Sequence, residues 1–145
     1  MFLIESMNNL LIDSQISDLI KINQYSIKYN LTLSKKDITE IINERNRVLK
    51  VYERIDFETE VIEKIINHFY DSPYILQENY TQIINEIIEL FYIIKNETND
   101  KLGDDELINL MENYFNNTCH GSLEFLRDLM FLFSNQFKGD ETIER

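Results

Sequence analysis

The stretch QENYTQIINEIIELFYIIKNETN, residues 77–99, decides the fold of this chain. Its apolar residues recur at intervals of three and four, the spacing that places side chains on one face of an α-helix. The opposite face is polar, with Gln82, Asn85, Glu86 and Glu89. Near the end Tyr92 and Ile93 widen the apolar face. The stretch therefore predicts an amphipathic helix that is covered on two sides near its end.

The same period continues on both sides of this stretch. It predicts further helices at residues 58–70 and 104–115, one that begins at Ser34, one over residues 15–29 and a short one near residues 4–12. The chain has only one proline and three glycines, the residues that most often form tight turns. This scarcity argues against a β-sandwich or barrel. We predict an all-α, compact bundle of about six helices with short connections, forming a single domain over residues 1–145.

Several residues predict where these helices begin and end. Ser34 followed by Asp37 is a variant of the capping box. Gly103 has the flexibility for the left-handed position after a helix, with Asp104 capping the next one. Gly121 and Ser122 are expected to open the last helix in the same way.

The composition limits the possible functions. The chain has 145 residues, a net charge of −12 and a pI of about 4.5. Such an acidic chain repels phosphate backbones, so we expect no nucleic-acid partner. The apolar runs are too short for a membrane span, the start lacks the features of a signal peptide, and one cysteine forms no internal disulfide. We therefore expect a cytoplasmic protein that does not enter the membrane.

Acidic residues are dense between the helix at residues 77–99 and the next one. This junction carries Glu97, Asp100, Asp104, Asp105 and Glu106. An EF-hand loop with Gly103 at its sixth position fails at three ligand positions, so that motif is excluded. Two interpretations remain: a looser Mg²⁺ or Ca²⁺ site, or acids that favour a helix N-terminus because of its dipole. We favour the second, and expect no metal and no cofactor.

Arg45 lies in the apolar stripe of its helix, one turn from Ile41 and Leu49. A guanidinium in that position must meet a carboxylate or extend to the rim. One interpretation is a structural pair with an acid from another helix. The other is an anion-binding arginine at the floor of a cleft. Together with the acids of the junction it defines a candidate site, consisting of Arg45, Glu97, Asp100, Asp104 and Asp105.

Cys119, His120 and His68 are the residues that could act in nucleophilic catalysis or bind zinc. Adjacent helical residues point about 100° apart, and no third group orients the histidine. Three nitrogen or sulfur ligands without a fourth are a weak zinc motif. We therefore assign no catalytic residue, and expect a buried cysteine and surface histidines.

The last helix carries apolar residues on nearly all faces. Such a helix is either central in a core or shared with a partner. The residues expected at an interface are Leu129, Met130, Phe131 and Phe133. They favour a homo-oligomer or a protein partner.

Several ordered pieces of the chain resemble a family of small uncharacterised proteins of Firmicutes that is defined as a domain of unknown function. The resemblance runs from about Tyr29 to Leu126 and is carried by KYNLTLSKKDITEII, YERIDF, FYDSPYILQENY, ELFYIIKNETNDKLGDDELI and HGSLEFL. It implies an intracellular bacterial protein and supplies no activity. SPY (72–74), KNE (95–97) and DDEL (104–107) would be its signature. The chain departs from it at residues 58–60, where the relatives tend to carry glycines, and this puts a glycine-dependent loop function in doubt.

These observations favour a non-enzymatic helical protein-interaction module. The alternative is a small metal- or ligand-binding domain, including a hydrolytic one, at the acidic junction. An acidic mimic of nucleic acid is a third hypothesis, and it rests on net charge alone. A concave pocket ringed by Glu97, Asp100, Asp104 and Arg45 would favour the ligand-binding domain, whereas a flat apolar patch would favour the interaction module.

Overall fold

The computed structural model describes the backbone of residues 2–143 and the side chains of residues 10–138. Over that part of the chain the regular elements are helical and no strand occurs. The helices are α1 (Phe2–Ile20), α2 (Asn23–Ser26), α3 (Lys35–Val51), α4 (Glu60–Phe69), α5 (Tyr80–Glu97), α6 (Asp104–Asn113) and α7 (Leu123–Ile143). The all-α prediction is confirmed. Six of these helices have ten residues or more, and α2 has four.

Helix α5 lies at the centre of the bundle. Helices α3, α4 and α7 pack against it, while α1 packs on α3 and α6 packs on α4. Ten of the 18 residues of α5 are buried, more than a single face provides. Tyr92 is among them, which agrees with the widened apolar face expected near the end of this helix.

Two helix starts follow the predicted capping chemistry. At α3 the Ser34 hydroxyl accepts a hydrogen bond from the Asp37 N–H (3.1 Å), and the Asp37 carboxylate accepts one from the Ser34 N–H (3.0 Å). At α7 the Ser122 hydroxyl accepts from the Phe125 N–H (3.2 Å). Each cap satisfies backbone donors that have no partner within the helix.

The first helix boundary differs from the prediction. Helix α1 is continuous from Phe2 to Ile20, and the predicted helix over residues 15–29 is broken after Ile20. The Asn23 side chain explains the change of direction, because it bonds both the N–H and the carbonyl of Leu33 at 2.8 Å. This pair of hydrogen bonds holds the segment before α3 against α2.

The expected role of Gly103 is wrong. It has φ −66° and ψ 155° and is the N-cap residue of α6, so Asp104 lies inside that helix. The left-handed residues after α5 are Asn99 and Asp100, with φ of 52° and 59°. Because asparagine and aspartate tolerate this region better than most residues, α5 ends without a glycine.

The end of α6 packs against the segment that carries SPY. A π-helical turn, Tyr114–Thr118, extends α6, and Asn116 within it accepts a hydrogen bond from the Ser72 hydroxyl (2.6 Å). The Tyr74 hydroxyl lies 3.0 Å from Nδ1 of His120. Gly121 has φ +84°, and a Cβ there would lie 2.4 Å from Cβ of Tyr74. Tyr74 therefore requires a glycine at this turn.

Candidate ligand-binding cleft

A cleft of about 680 Å³ opens between α1, α3 and the link that follows α3. Helix α1 contributes Leu11, Ile12 and Gln15, and the link contributes residues 53–57. Helix α3 contributes Arg45, Asn46, Leu49 and Lys50. The volume falls within the range of small-molecule sites, about 300–1,000 Å³.

The mouth of the cleft is apolar and exposed. Ile55 is 80% exposed and Phe57 is 67% exposed, and Leu11 faces them from α1 with 40% exposure. The Gln15 side chain donates a hydrogen bond to the Phe57 carbonyl (2.8 Å), which attaches the link to α1. Large apolar side chains left in water beside a concave surface are typical of a binding site.

The direction of the link is set where α3 ends. Glu53 takes the left-handed conformation, with φ 55°. The next N–H, that of Arg54, then donates back to the Leu49 carbonyl (2.8 Å), and the Glu53 N–H donates to that of Lys50 (3.2 Å). This is the Schellman arrangement, here formed without the usual glycine.

Arg45 forms the floor of the cleft and is 0% exposed. Its Nε donates to Oδ1 of Asn46 (2.8 Å) and its Nη1 donates to the Glu58 carbonyl (2.6 Å). Oδ2 of Asp56 lies 3.8 Å from Nη1. The carboxylate beside Arg45 is therefore that of Asp56 in the link after α3. The expected partner, an acid from another helix, is not found within residues 10–138.

Tyr92 connects Arg45 and Asp56 to α5. Its hydroxyl donates to Oδ2 of Asp56 at 3.5 Å, a long hydrogen bond. Burial raises the pKa of Tyr92 to about 12, and the nearby Asp56 carboxylate adds to the effect because it disfavours a second negative charge.

A smaller cavity of about 270 Å³ adjoins the cleft and shares Leu49 and residues 54–56 with it. Its wall is charged: Arg54 donates from Nη2 to both carboxylate oxygens of Asp100, at 2.7 and 2.8 Å. Nε of Arg54 is buried and has no hydrogen-bond partner within residues 10–138. Arg54 therefore retains a donor beside both cavities.

Four of the five acids of the junction pair with cations in the described part of the chain, Asp100 with Arg54 as given above. Asp104 lies 2.7 Å from Nζ of Lys95, a lysine that is only 8% exposed and also donates to the Leu102 carbonyl (2.8 Å). Asp105 pairs with Lys64 of α4 (3.0 Å). Glu97 pairs with Lys138 of α7. These ion pairs connect neighbouring helices, which accounts for the presence of acidic residues at the junction.

Of the five candidate site residues, three lie around the two cavities: Arg45, Asp100 and Asp104. Glu97 and Asp105 lie apart from them. Among residues 10–138 no group of three or more histidine, cysteine, aspartate or glutamate side chains has the arrangement of a metal site.

Sequence reasoning missed four residues of this region: Asp56, Tyr92, Lys95 and Arg54. Lys95 could have been found, because it lies one turn from Phe91 on an otherwise apolar face, as Arg45 does on α3. Arg54 and Asp56 lie in a link without periodicity and have no comparable pattern.

Cys119 and the histidines have separate partners. The thiol is buried, and burial raises its pKa, which disfavours the thiolate. His120 contacts Tyr74, and Nδ1 of His68 lies 2.6 Å from a carboxylate oxygen of Glu112. The expected buried cysteine is confirmed, and His68 is half-buried between α4 and α6.

The four expected interface residues of α7 differ in exposure. Phe131 is 37% exposed, Leu129 and Phe133 are half-buried, and Met130 is fully buried in the core. Two apolar residues that were not expected at this surface, Phe125 and Leu132, are 46% and 54% exposed. Within residues 123–138 of α7, the exposed apolar surface is therefore formed by Phe125, Phe131 and Leu132.

The comparisons with known proteins give one match. Residues 18–142 match a family described as a family of unknown function, DUF6323. No curated protein and no solved structure gives a significant match. Of the helices described here, none has both the length and the apolar character needed to cross a membrane.

Proposed function

From the premise that this chain belongs to the DUF6323 family, we propose that it is a non-enzymatic binding protein. Its ligand is a small molecule with an apolar body, and the binding site is the cleft between α1 and α3. The proposal is supported by one observation above all: an apolar cavity of about 680 Å³ with the exposed side chains of Ile55 and Phe57 at its mouth.

The polar groups around the cleft support binding more than catalysis. Asn46 and Glu58 accept hydrogen bonds from Arg45, and Asp56 lies between Arg45 and Tyr92. An arginine guanidinium stays charged at neutral pH and is a poor general acid or base, so it serves to orient and bind. A few fixed polar groups in an otherwise apolar pocket are the usual composition of a ligand site.

The bacterial cytoplasm is the proposed location, and Firmicutes the proposed range of the family. The resemblance of the ordered pieces quoted above supports both. The single cysteine is buried and reduced, as is common for proteins of a reducing compartment.

Self-association through α7 is the second candidate function. It is supported by Phe125, Phe131 and Leu132, which together expose apolar surface on one helix. Burying each of these side chains against a second copy would contribute roughly 1.5–3 kcal/mol, while repulsion between the acidic chains opposes association and is screened by salt.

Binding of the uncharged fluorophore N-phenyl-1-naphthylamine tests the principal proposal. We expect saturable binding with enhanced fluorescence to the wild type. Phe57→Asp removes an apolar wall and should weaken binding about tenfold or more, since burial of a phenylalanine contributes roughly 1.5–3 kcal/mol. Phe57 is exposed, so this variant should remain folded.

Phe125→Asp is the matched control, because Phe125 is an exposed phenylalanine on α7 and does not line the cleft. It should bind the fluorophore as the wild type does. Absence of saturable binding, or equal losses in the two variants, would contradict the proposal.

A further inference from the structure

We infer that the ligand of the cleft carries a single anionic group, a carboxylate, that binds to Arg54 beside the buried charge of Arg45. This inference rests on the proposed function, because it names the chemical class of the ligand in the same cleft. It is carried by the two arginines that line the cavity and by the unpartnered donor of Arg54.

The charges around the cleft disfavour a ligand with more than one negative charge. Three cations line it, namely Arg45, Lys50 and Arg54, against the two carboxylates of Glu53 and Asp56. Asp100 of the adjoining cavity pairs with Arg54, and with this third carboxylate the charges balance. A ligand with two negative charges would therefore be repelled by Asp56 more strongly than a ligand with one carboxylate.

The hydrogen-bond donors point to the same chemistry. A guanidinium has five N–H donors, and Arg45 uses donors of its own on Asn46, Glu58 and Tyr92. Arg54 bonds Asp100 through Nη2 alone, and its buried Nε has no partner among the described side chains and backbone groups. A buried donor of this kind is satisfied when an anion binds, and the planar guanidinium fork fits the two oxygens of a carboxylate.

The two arginines have different roles in this site. Arg45 is fully buried and held by Asn46 and Glu58, so it provides a fixed positive charge at the floor. The Arg54 side chain retains 23% of its surface and lines both cavities, so it is the group that adjusts to the ligand. The apolar body of the ligand then lies toward Ile55 and Phe57 at the mouth.

Competition of octanoate and 1-octanol with N-phenyl-1-naphthylamine tests the inference. The two competitors have the same chain length and differ in charge at pH 7.5. We expect octanoate to bind at least about tenfold more tightly than octanol, since hydrogen bonds to charged groups are roughly twice as strong as neutral ones. Arg54→Gln should remove this preference, so that octanoate and octanol compete with the fluorophore equally.

Arg47→Gln is the matched control, since Arg47 lies on α3 outside the cleft and pairs with Glu44 and Glu89. It should keep the preference for octanoate. Asp56→Asn gives a second measurement that does not depend on the folding of the Arg54 variant. Removing the competing carboxylate should raise the affinity for octanoate several-fold relative to that for octanol.

Equal affinities of the wild type for octanoate and octanol would overturn the inference and leave the apolar cleft intact. Equal effects of Arg54→Gln and Arg47→Gln, or an unchanged preference in Asp56→Asn, would also overturn it. Failure of the fluorophore itself to bind is a different result, because it overturns the proposed function as well.

Discussion

Arg54 and Asp100 form an ion pair between equivalent positions at the ends of two helices. Each residue directly follows a left-handed residue, Glu53 after α3 and Asn99 after α5. Each backbone N–H donates 2.8 Å back into its helix, that of Arg54 to Leu49 and that of Asp100 to Lys95. The side chains then meet at 2.7 and 2.8 Å. Two helix ends with the same backbone hydrogen bonds thus join the cleft to the junction between α5 and α6.

Glu53→Gly should stabilise the protein. A side chain in the left-handed region costs about 1–2 kcal/mol, and the extra freedom of glycine in the unfolded chain offsets roughly 0.5–1 kcal/mol of the gain. We expect a net increase of about 0.5–1 kcal/mol in the free energy of unfolding, measured with urea. Lys50→Gly, within the helix, is the control and should destabilise by about 1 kcal/mol. A loss of stability in Glu53→Gly would show that its side chain is needed at this turn.

Arg45→Ala should destabilise the protein strongly. It removes both hydrogen bonds of a fully buried guanidinium and leaves the Glu58 carbonyl and the Asp56 carboxylate without this partner. We expect a loss of roughly 3 kcal/mol in urea unfolding. Arg47→Ala, two residues away on the exposed face, should have a much smaller effect. Similar effects of the two substitutions would mean that Arg45 is solvated.

Gly121→Ala should destabilise the protein by roughly 2 kcal/mol or more, because φ is +84° and the new Cβ would lie 2.4 Å from Cβ of Tyr74. Gly103→Ala is the control: its φ is −66°, and the new Cβ would lie 3.5 Å from the Glu106 side chain. Thermal unfolding of both variants measures the difference. If Gly121→Ala unfolds at the wild-type temperature, the close packing of Tyr74 against position 121 does not require a glycine.

Stability should fall at alkaline pH. The pKa of Tyr92 is about 12 in the folded protein, above the ordinary value of 10, because burial disfavours the phenolate. The unfolded chain therefore loses this proton first. The contribution is fully present below pH 10 and decreases as pH rises through 12, by about 2–3 kcal/mol.

Urea unfolding between pH 8 and 12 measures this dependence. Tyr92→Phe should reduce the alkaline loss without abolishing it, since burial also raises the pKa of Tyr80. An alkaline profile identical to that of the wild type would exclude Tyr92 as a source.

Phe131→Asp and Met130→Asp should separate interface from core on α7. Phe131 is 37% exposed, so its substitution should leave a folded protein and weaken any self-association. Met130 is fully buried, so a charge there should unfold the protein. Sedimentation at several concentrations, together with circular dichroism, measures both. A wild type that stays monomeric at high concentration would contradict association through this helix.

Much of the fold could be predicted from residue types and their spacing. The apolar period of residues 77–99 indicated α5, and Ser34 with Asp37 indicated the start of α3. These features depend on residues three or four positions apart, which meet wherever a helix forms. The break after Ile20 and the N-cap role of Gly103 were missed, because each depends on contacts or conformations that no local pattern specifies.

The same distinction between local pattern and tertiary contact applies to the candidate site. By itself the sequence determined that Arg45 lies on an apolar helix face and must find polar partners there. Only the tertiary structure decided that those partners are Asn46, Asp56 and Glu58, and that Arg54 meets Asp100 across 46 positions of the chain. Periodicity reports which side of a helix is buried, whereas the pairing of charges from different segments depends on how those segments pack.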